Sequence, residues 1–169
     1  MTHGSEATGT APPSPAAASR SGTVGYVRAL GVDLGTRRVG LALSDSEGRI
    51  ATPLEVLERT GSEAQDHAAI AEVVAERNVA VVVVGLPISL DGSMGPAARA
   101  ARAEIARLAP AVGVPVETYD ERFSTAAAEQ HLDMGEVRGS KRRQVVDMVA
   151  AAVLLQSWLD ARRHEPPTT

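Results

Sequence analysis

Apolar residues recur along this chain in two rhythms. Tyr26 to Asp33 and Val39 to Ser44 are short apolar runs bounded by turn residues, which predicts two β-strands. Leu34-Gly35-Thr36-Arg37-Arg38 between them reads as a hairpin connection containing glycine. A third short strand is predicted near Arg49 to Thr52, after the turn Ser46-Glu47-Gly48. Ser62, followed three residues later by Gln65, has capping-box form. It predicts a helix to about Arg77, with Ile70, Val73 and Val74 inward. Val79 to Val84 is continuously apolar and mostly β-branched, as in a strand covered on both faces. A loop rich in glycine and proline follows from Gly85 to Pro96, then an alanine-rich helix to about Leu108. Val114 to Tyr119 reads as a strand. Ser124 can cap a helix ending near Gly135, and Ser140 to Arg162 predicts the last and longest helix.

The predicted order is three strands, then helix and strand in alternation, then two helices. A three-strand meander followed by strand–helix crossovers gives an α/β fold with a mixed five-stranded sheet and helices on both faces. That is the layout of ribonuclease H-like folds, and of each lobe of the actin-like ATPases. At 169 residues one domain is expected, over residues 25–163. Residues 1–24 are rich in Ala, Ser, Thr, Pro and Gly without apolar periodicity, and are expected to be a disordered tail. Residues 164–169 are expected to fray.

Composition narrows the function. The only aromatic residues are Tyr26, Tyr119, Phe123 and Trp158, too few for binding built on base stacking. There is no cysteine, which removes disulfides, thiolate zinc sites and thiol catalysis. No basic, apolar secretory start is present and no apolar run is expected to span a bilayer, so a cytoplasmic location is expected and no membrane partner. The net charge of -4 counts against a nucleic-acid partner, but its distribution does not. Arg138, Lys141, Arg142 and Arg143 cluster with no acid among them, and Arg37 and Arg38 form a second basic point. Such a cluster is either a solvated helix start or a phosphate-binding edge.

Three acids stand where acids are costly. Asp33 ends an apolar strand, where a lone Asp is also a common turn-former. Asp120 and Glu121 end the strand beginning at Val114; strand alternation lets only one of them face a shared site. Asp147 interrupts an apolar helix and shares a stripe with Ala151, Leu154 and Trp158, which should face the sheet. A buried carboxylate needs an ion partner or a cation. An arginine could serve Asp147 alone; three carboxylates converging on one sheet edge favour Mg²⁺ or Mn²⁺, which take oxygen ligands. Ions so held serve phosphodiester hydrolysis. His67 and His131 lack metal-ligand spacing and read as ordinary helix residues.

Four stretches, "LGVDLGTRRVGLALSD", "VVVGLPISLDGS", "YDERFST" and "VDMVAAAVLLQSWLD", occur in this order from Leu30 to Asp160. In them the chain resembles the YqgF/RuvX family, described both as Holliday junction resolvases and as pre-16S rRNA nucleases. The resemblance implies a ribonuclease H-like fold and a divalent-metal-dependent nuclease. It implies Asp33, Glu121 and Asp147 as catalytic metal ligands, and Gly35, Gly85, Pro87, Asp91 and Gly92 as site loops, with Leu86 between Gly85 and Pro87. Phe123-Ser124 departs from the usual Leu-Thr or Leu-Ser. Thr36, Arg37, Arg38, Arg122, Lys141, Arg142 and Arg143 are the expected nucleic-acid contacts, with Gly35 and Gly40 allowing backbone to approach a phosphate. The substrate is then precursor rRNA in ribosome biogenesis, or branched DNA, and the protein a monomer or homodimer. Two other readings use the same residues. "DLGT" resembles the first phosphate loop of actin-like ATPases, though only one lobe is present. A non-catalytic module binding RNA or the ribosome would keep the acids without turnover.

Overall fold

A computed structural model describes residues 28–122 and 140–164. Five strands form one sheet: β1 (Ala29–Leu34), β2 (Arg38–Ser44), β3 (Ala51–Glu58), β4 (Val81–Leu86) and β5 (Val116–Asp120). Three helices accompany them: α1 (Glu63–Glu76), α2 (Pro96–Val112) and α3 (Ser140–His164). The strand order is β3-β2-β1-β4-β5. β1 is antiparallel to β2 and parallel to β4, and β4 is parallel to β5, so the sheet is mixed as expected. The expected tail at 1–24, the helix from Ser124 to Gly135, His131 and residues 165–169 lie outside the described residues.

Alternation divides the sheet into two faces. Leu30, Val32, Val39, Leu41, Val82 and Val84 pack against α1 and α2 through Ile70, Val73, Val74, Ile105 and Leu108. Ala29, Ala42, Val81 and Val83 face α3 and meet Ala151, Ala152, Leu155, Trp158 and Leu159. The sheet side of this second core is Ala and Val only, so α3 lies close to the sheet. A Cβ on Gly31 would come within 2.8 Å of Leu155 Cβ and 2.9 Å of the Ala151 carbonyl. On Gly40 it would overlap the backbone carbonyl of Asp147. These two glycines on adjacent strands form the bed of α3. Gly40 therefore makes room for the backbone of α3 at Asp147.

Three local expectations change. β3 runs to Glu58, well past Thr52, and carries Pro53 and a bulge opposite Leu41 and Ala42. An edge strand tolerates both. Ser62 is the N-cap of α1, but its side chain makes no capping bond. Asp66 instead accepts from the Thr60 amide at 2.9 Å and the Thr60 hydroxyl at 2.8 Å. α2 continues through Pro110 to Val112 and stops at Gly113, whose φ of 68° is left-handed. Finally, Arg143–Arg163 is long and apolar enough, by length and composition alone, to cross a bilayer, contrary to the sequence expectation. Its apolar stripe is occupied by the sheet, with Ala151, Leu154 and Trp158 buried.

Candidate active site

The carboxyl ends of the parallel strands β1, β4 and β5 lie at one edge of the sheet, where ligands of open α/β sheets commonly bind. Asp33 sits at this end of β1, on the same face as Gly31 and opposite Gly40 in register. Because Gly40 carries the backbone of Asp147, α3 brings that residue to Asp33. Glu121 follows β5, its amide donating to the Leu86 carbonyl at 3.2 Å. Gly85 makes room for it: a Cβ there would overlap the Glu121 carboxylate. The glycine of β4 and the acid beyond β5 are thus one spatial feature.

The charges bear on one another in pairs. Burial, and then the charge of Asp147, pushes the Asp33 carboxyl up to about 6. Burial, and then Asp33 and Asp120, pushes Glu121 up to about 7. Asp33 is the centre of the series, coupled to Glu121 on one side and Asp147 on the other. Asp33, Glu121 and Asp147 were expected to converge on one edge of the sheet. Among the described residues no group of three or more acids or histidines is arranged to hold a metal ion. Arg38 Nε donates to Asp147 Oδ2 at 2.6 Å. The pair is part-buried at the rim, with the two side chains 19% and 28% exposed, not sealed in the interior.

The other expected site residues divide. Asp120 pairs with Arg122, Nη2 to Oδ2 at 2.6 Å and Nε to Oδ2 at 2.9 Å, and the side-chain bonds of that arginine hold its carboxyl low. Arg38 and Arg122, expected on phosphate, therefore make ion pairs within the protein. Thr36 and Arg37 are exposed on the β1–β2 turn, and Arg143 is exposed on the first turns of α3. The side chains of Lys141 and Arg142 lie outside the described residues. Pro87, Asp91 and Gly92 belong to the β4–α2 loop. There Asp91 Oδ1 accepts from the Ser93 amide at 2.9 Å, and Gly92 has φ 84°.

A part-buried polar network on the opposite face gave no signal in the sequence. Arg59 donates to both Glu104 oxygens at 2.6 and 3.2 Å and lies 3.6 Å from Asp66. His67 is buried beneath it, Nε2 3.5 Å from Glu104, without a hydrogen-bond partner for that nitrogen among the described residues. Its members come from β3, α1 and α2, and their convergence is a property of the fold. A cavity of about 460 Å³ lies beside it, lined by Gly35, Thr36, Pro87 and Ala101 among others.

This architecture, a mixed five-stranded sheet with acids at the carboxyl edge of the central strand, is a ribonuclease H-like fold. The structure of Thermus thermophilus RuvC in complex with a Holliday junction substrate shares it at a TM-score of 0.52 and 22% identity, over 81% of this chain and 96% of that one. The sequence profile described as "RuvX: Holliday junction resolvase" matches residues 27–161. The chain belongs to the RuvX family, as the four motifs implied. Relatives named "Putative pre-16S rRNA nuclease" include a Myxococcus xanthus protein, 47% identical over 85% of this chain and 93% of its own length. Another, from Anaeromyxobacter dehalogenans, is 50% identical over 80% of this chain and 98% of its own length.

Proposed function

We propose that this chain is a divalent-metal-dependent endonuclease that hydrolyses phosphodiester bonds, and that its substrate is the 5′ end of precursor 16S rRNA in the cytoplasm. The observation that carries the metal is the pair of carboxyls at Asp33 and Glu121, each destabilised by burial and by the neighbouring acid at one sheet edge. The donor set fits a hard cation, being all oxygen and self-repelling. Asp33, Glu121 and Asp147 would hold Mg²⁺ or Mn²⁺, Asp147 giving up its bond to Arg38. Bound there, the ion supplies a polarised water and stabilises the leaving oxygen. Arg38, once released, stays at the rim as a counter-charge for the scissile phosphate. Thr36 and Arg37 on the exposed turn, and Arg143 on α3, lie where the flanking backbone is gripped.

Names borne by relatives and the family description supply two substrates, pre-16S rRNA and the Holliday junction. The homologues about half identical over nearly their whole length favour RNA. The test incubates purified protein and Mg²⁺ with a 5′-extended 16S precursor and, separately, with a four-way DNA junction, beside Asp33→Asn. Precursor ends are mapped in parallel in cells depleted of the protein. Cleavage of the precursor by wild type only, with extended 5′ ends on depletion, is expected. Equal products from Asp33→Asn, or junction cleavage alone, would overturn the reading.

A further inference from the structure

Arg59 follows β3 and reaches the β1–β2 turn twice. Its backbone amide donates to the Arg37 carbonyl at 2.9 Å. Its Nε donates to the Gly35 carbonyl at 3.1 Å. The other end of the guanidinium is fixed by Glu104 of α2, through two bonds, and by Asp66 of α1. Asp66 is fixed in turn by Thr60. The guanidinium thus lies on the α1/α2 side of the sheet, away from the carboxylates. In a trans peptide the C=O and the following N–H point in opposite directions. A Gly35 carbonyl held toward α1 and α2 therefore turns the Thr36 N–H toward the opposite side, where Asp33 stands.

We infer that Arg59 is a positioning residue: by holding the Gly35 carbonyl it fixes the Gly35–Thr36 peptide, so that the Thr36 N–H is presented to a phosphate of the substrate. This rests on the nuclease reading above. A backbone donor aimed in advance needs no reorganisation during the reaction, which is where such groups have most effect. Glycine at 35 suits this turn, since a Cβ there would come within 2.5 Å of the Arg38 carbonyl. The turn has no side chain of its own at Gly35 to anchor it, and the anchor comes from β3.

The test separates positioning from stability. Arg59→Met alone leaves Glu104 without its cation and lowers the melting temperature. Arg59→Met with Glu104→Met removes this part-buried pair together, and replacing an ion pair taken out of water by apolar groups is commonly neutral or stabilising. Asp66 keeps its bonds to Thr60 in both variants. The double variant is expected to regain the wild-type melting temperature. The amides that donate within the turn, Gly35 to the Asp33 carbonyl and residue 59 to the Arg37 carbonyl, should still exchange hydrogen about ten-fold faster than wild type, while β1 and β4 amides match it. Precursor cleavage should stay down by about ten-fold or more in kcat, the effect of a misplaced group near the reacting atoms. Unchanged exchange at Gly35 and at position 59 in the double variant overturns the inference whatever cleavage does. Faster exchange with wild-type cleavage overturns its role in the reaction. Should wild type itself fail to cleave, the nuclease reading falls, and amide exchange alone decides whether Arg59 holds the turn.

Discussion

Asp33 and Glu121 are the residues at which stability and chemistry pull in opposite directions. Both carboxyls titrate higher in the folded chain than in the unfolded one, Asp33 from 3.8 to about 6 and Glu121 from 4.5 to about 7. Folding favours their protonated forms, so their contribution is fully present below about pH 4 and is lost as pH rises through 6 and 7. For Asp33 the loss on full ionisation is roughly 3 kcal/mol, at about 1.4 kcal/mol for each pH step. Asp33→Asn should raise the melting temperature of metal-free protein at pH 7.5 and flatten its fall between pH 5 and 7.5. It should also abolish the Mg²⁺-dependent gain in melting temperature, which binding to the native state produces in wild type. A variant no more stable than wild type at pH 7.5 would mean that these acids do not strain the fold. Gly85→Ala makes the complementary case. Its methyl meets only the far end of the Glu121 side chain, which can swing away. Stability should change by less than about 1 kcal/mol, while metal-dependent cleavage should fall by about ten-fold or more. Thermal melts and initial rates on one preparation check both. The acids were legible because an ionisable group at an apolar strand end or on a buried helix stripe violates its surroundings. Strand alternation alone left Asp120 and Glu121 equivalent, and Arg122 separates them by pairing with Asp120. The bond between Arg38 and Asp147 was not legible, because the two stand 109 positions apart and only the docking of α3 brings them together.

Among the elements, α3 decides whether the site exists. It is held along its length: the Gln156 side chain accepts from the Ala51 amide at 2.9 Å and donates to the Arg49 carbonyl at 2.9 Å, which ties it to the β3 side. Trp158 donates to Glu117 at 3.0 Å, which ties it to β5. Gly31 and Gly40 fix how close it comes. Gly40→Ala should therefore behave unlike Gly85→Ala, since its methyl meets backbone that cannot swing aside. Moving the helix should lower stability by about 1–3 kcal/mol and cleavage together, because Asp147 moves with it. Retained stability with lost cleavage would show that the helix does not rest on this glycine. The long helix itself was legible from its apolar stripe. β3 was harder to see: Pro53 and the bulge break its alternation, and its edge position leaves none of its residues fully buried. The capping-box pattern at Ser62 misled about detail only. The bond it promised is replaced by Thr60 with Asp66, two side chains whose partnership depends on the chain entering α1 from β3.

For the molecule as a whole, the order of elements followed from turn chemistry and periodicity, and with it the meeting of three strand ends at one edge. The two-faced division of labour did not. One face holds the large aliphatic core and the part-buried Arg59 network; the other holds α3 and the acids. A net charge of -4 must nevertheless bind a polyanion. On the proposed reading Arg122 stays with Asp120, Arg38 faces the scissile phosphate once Asp147 releases it, and the exposed Arg37 and Arg143 are expected to grip the flanking backbone. Each phosphate neutralised on a single strand contributes about 0.7 to the slope of log K against log salt. Arg37→Ala with Arg143→Ala should therefore make the slope for precursor RNA shallower by about 1.4 if each side chain meets one phosphate. Both residues are exposed, so the fold should melt as wild type does. Binding measured by fluorescence anisotropy across a salt series, in the Asp33→Asn background to prevent cleavage, gives the two slopes directly. Equal slopes would remove this face from the interface and place the grip of the substrate elsewhere on the sheet edge.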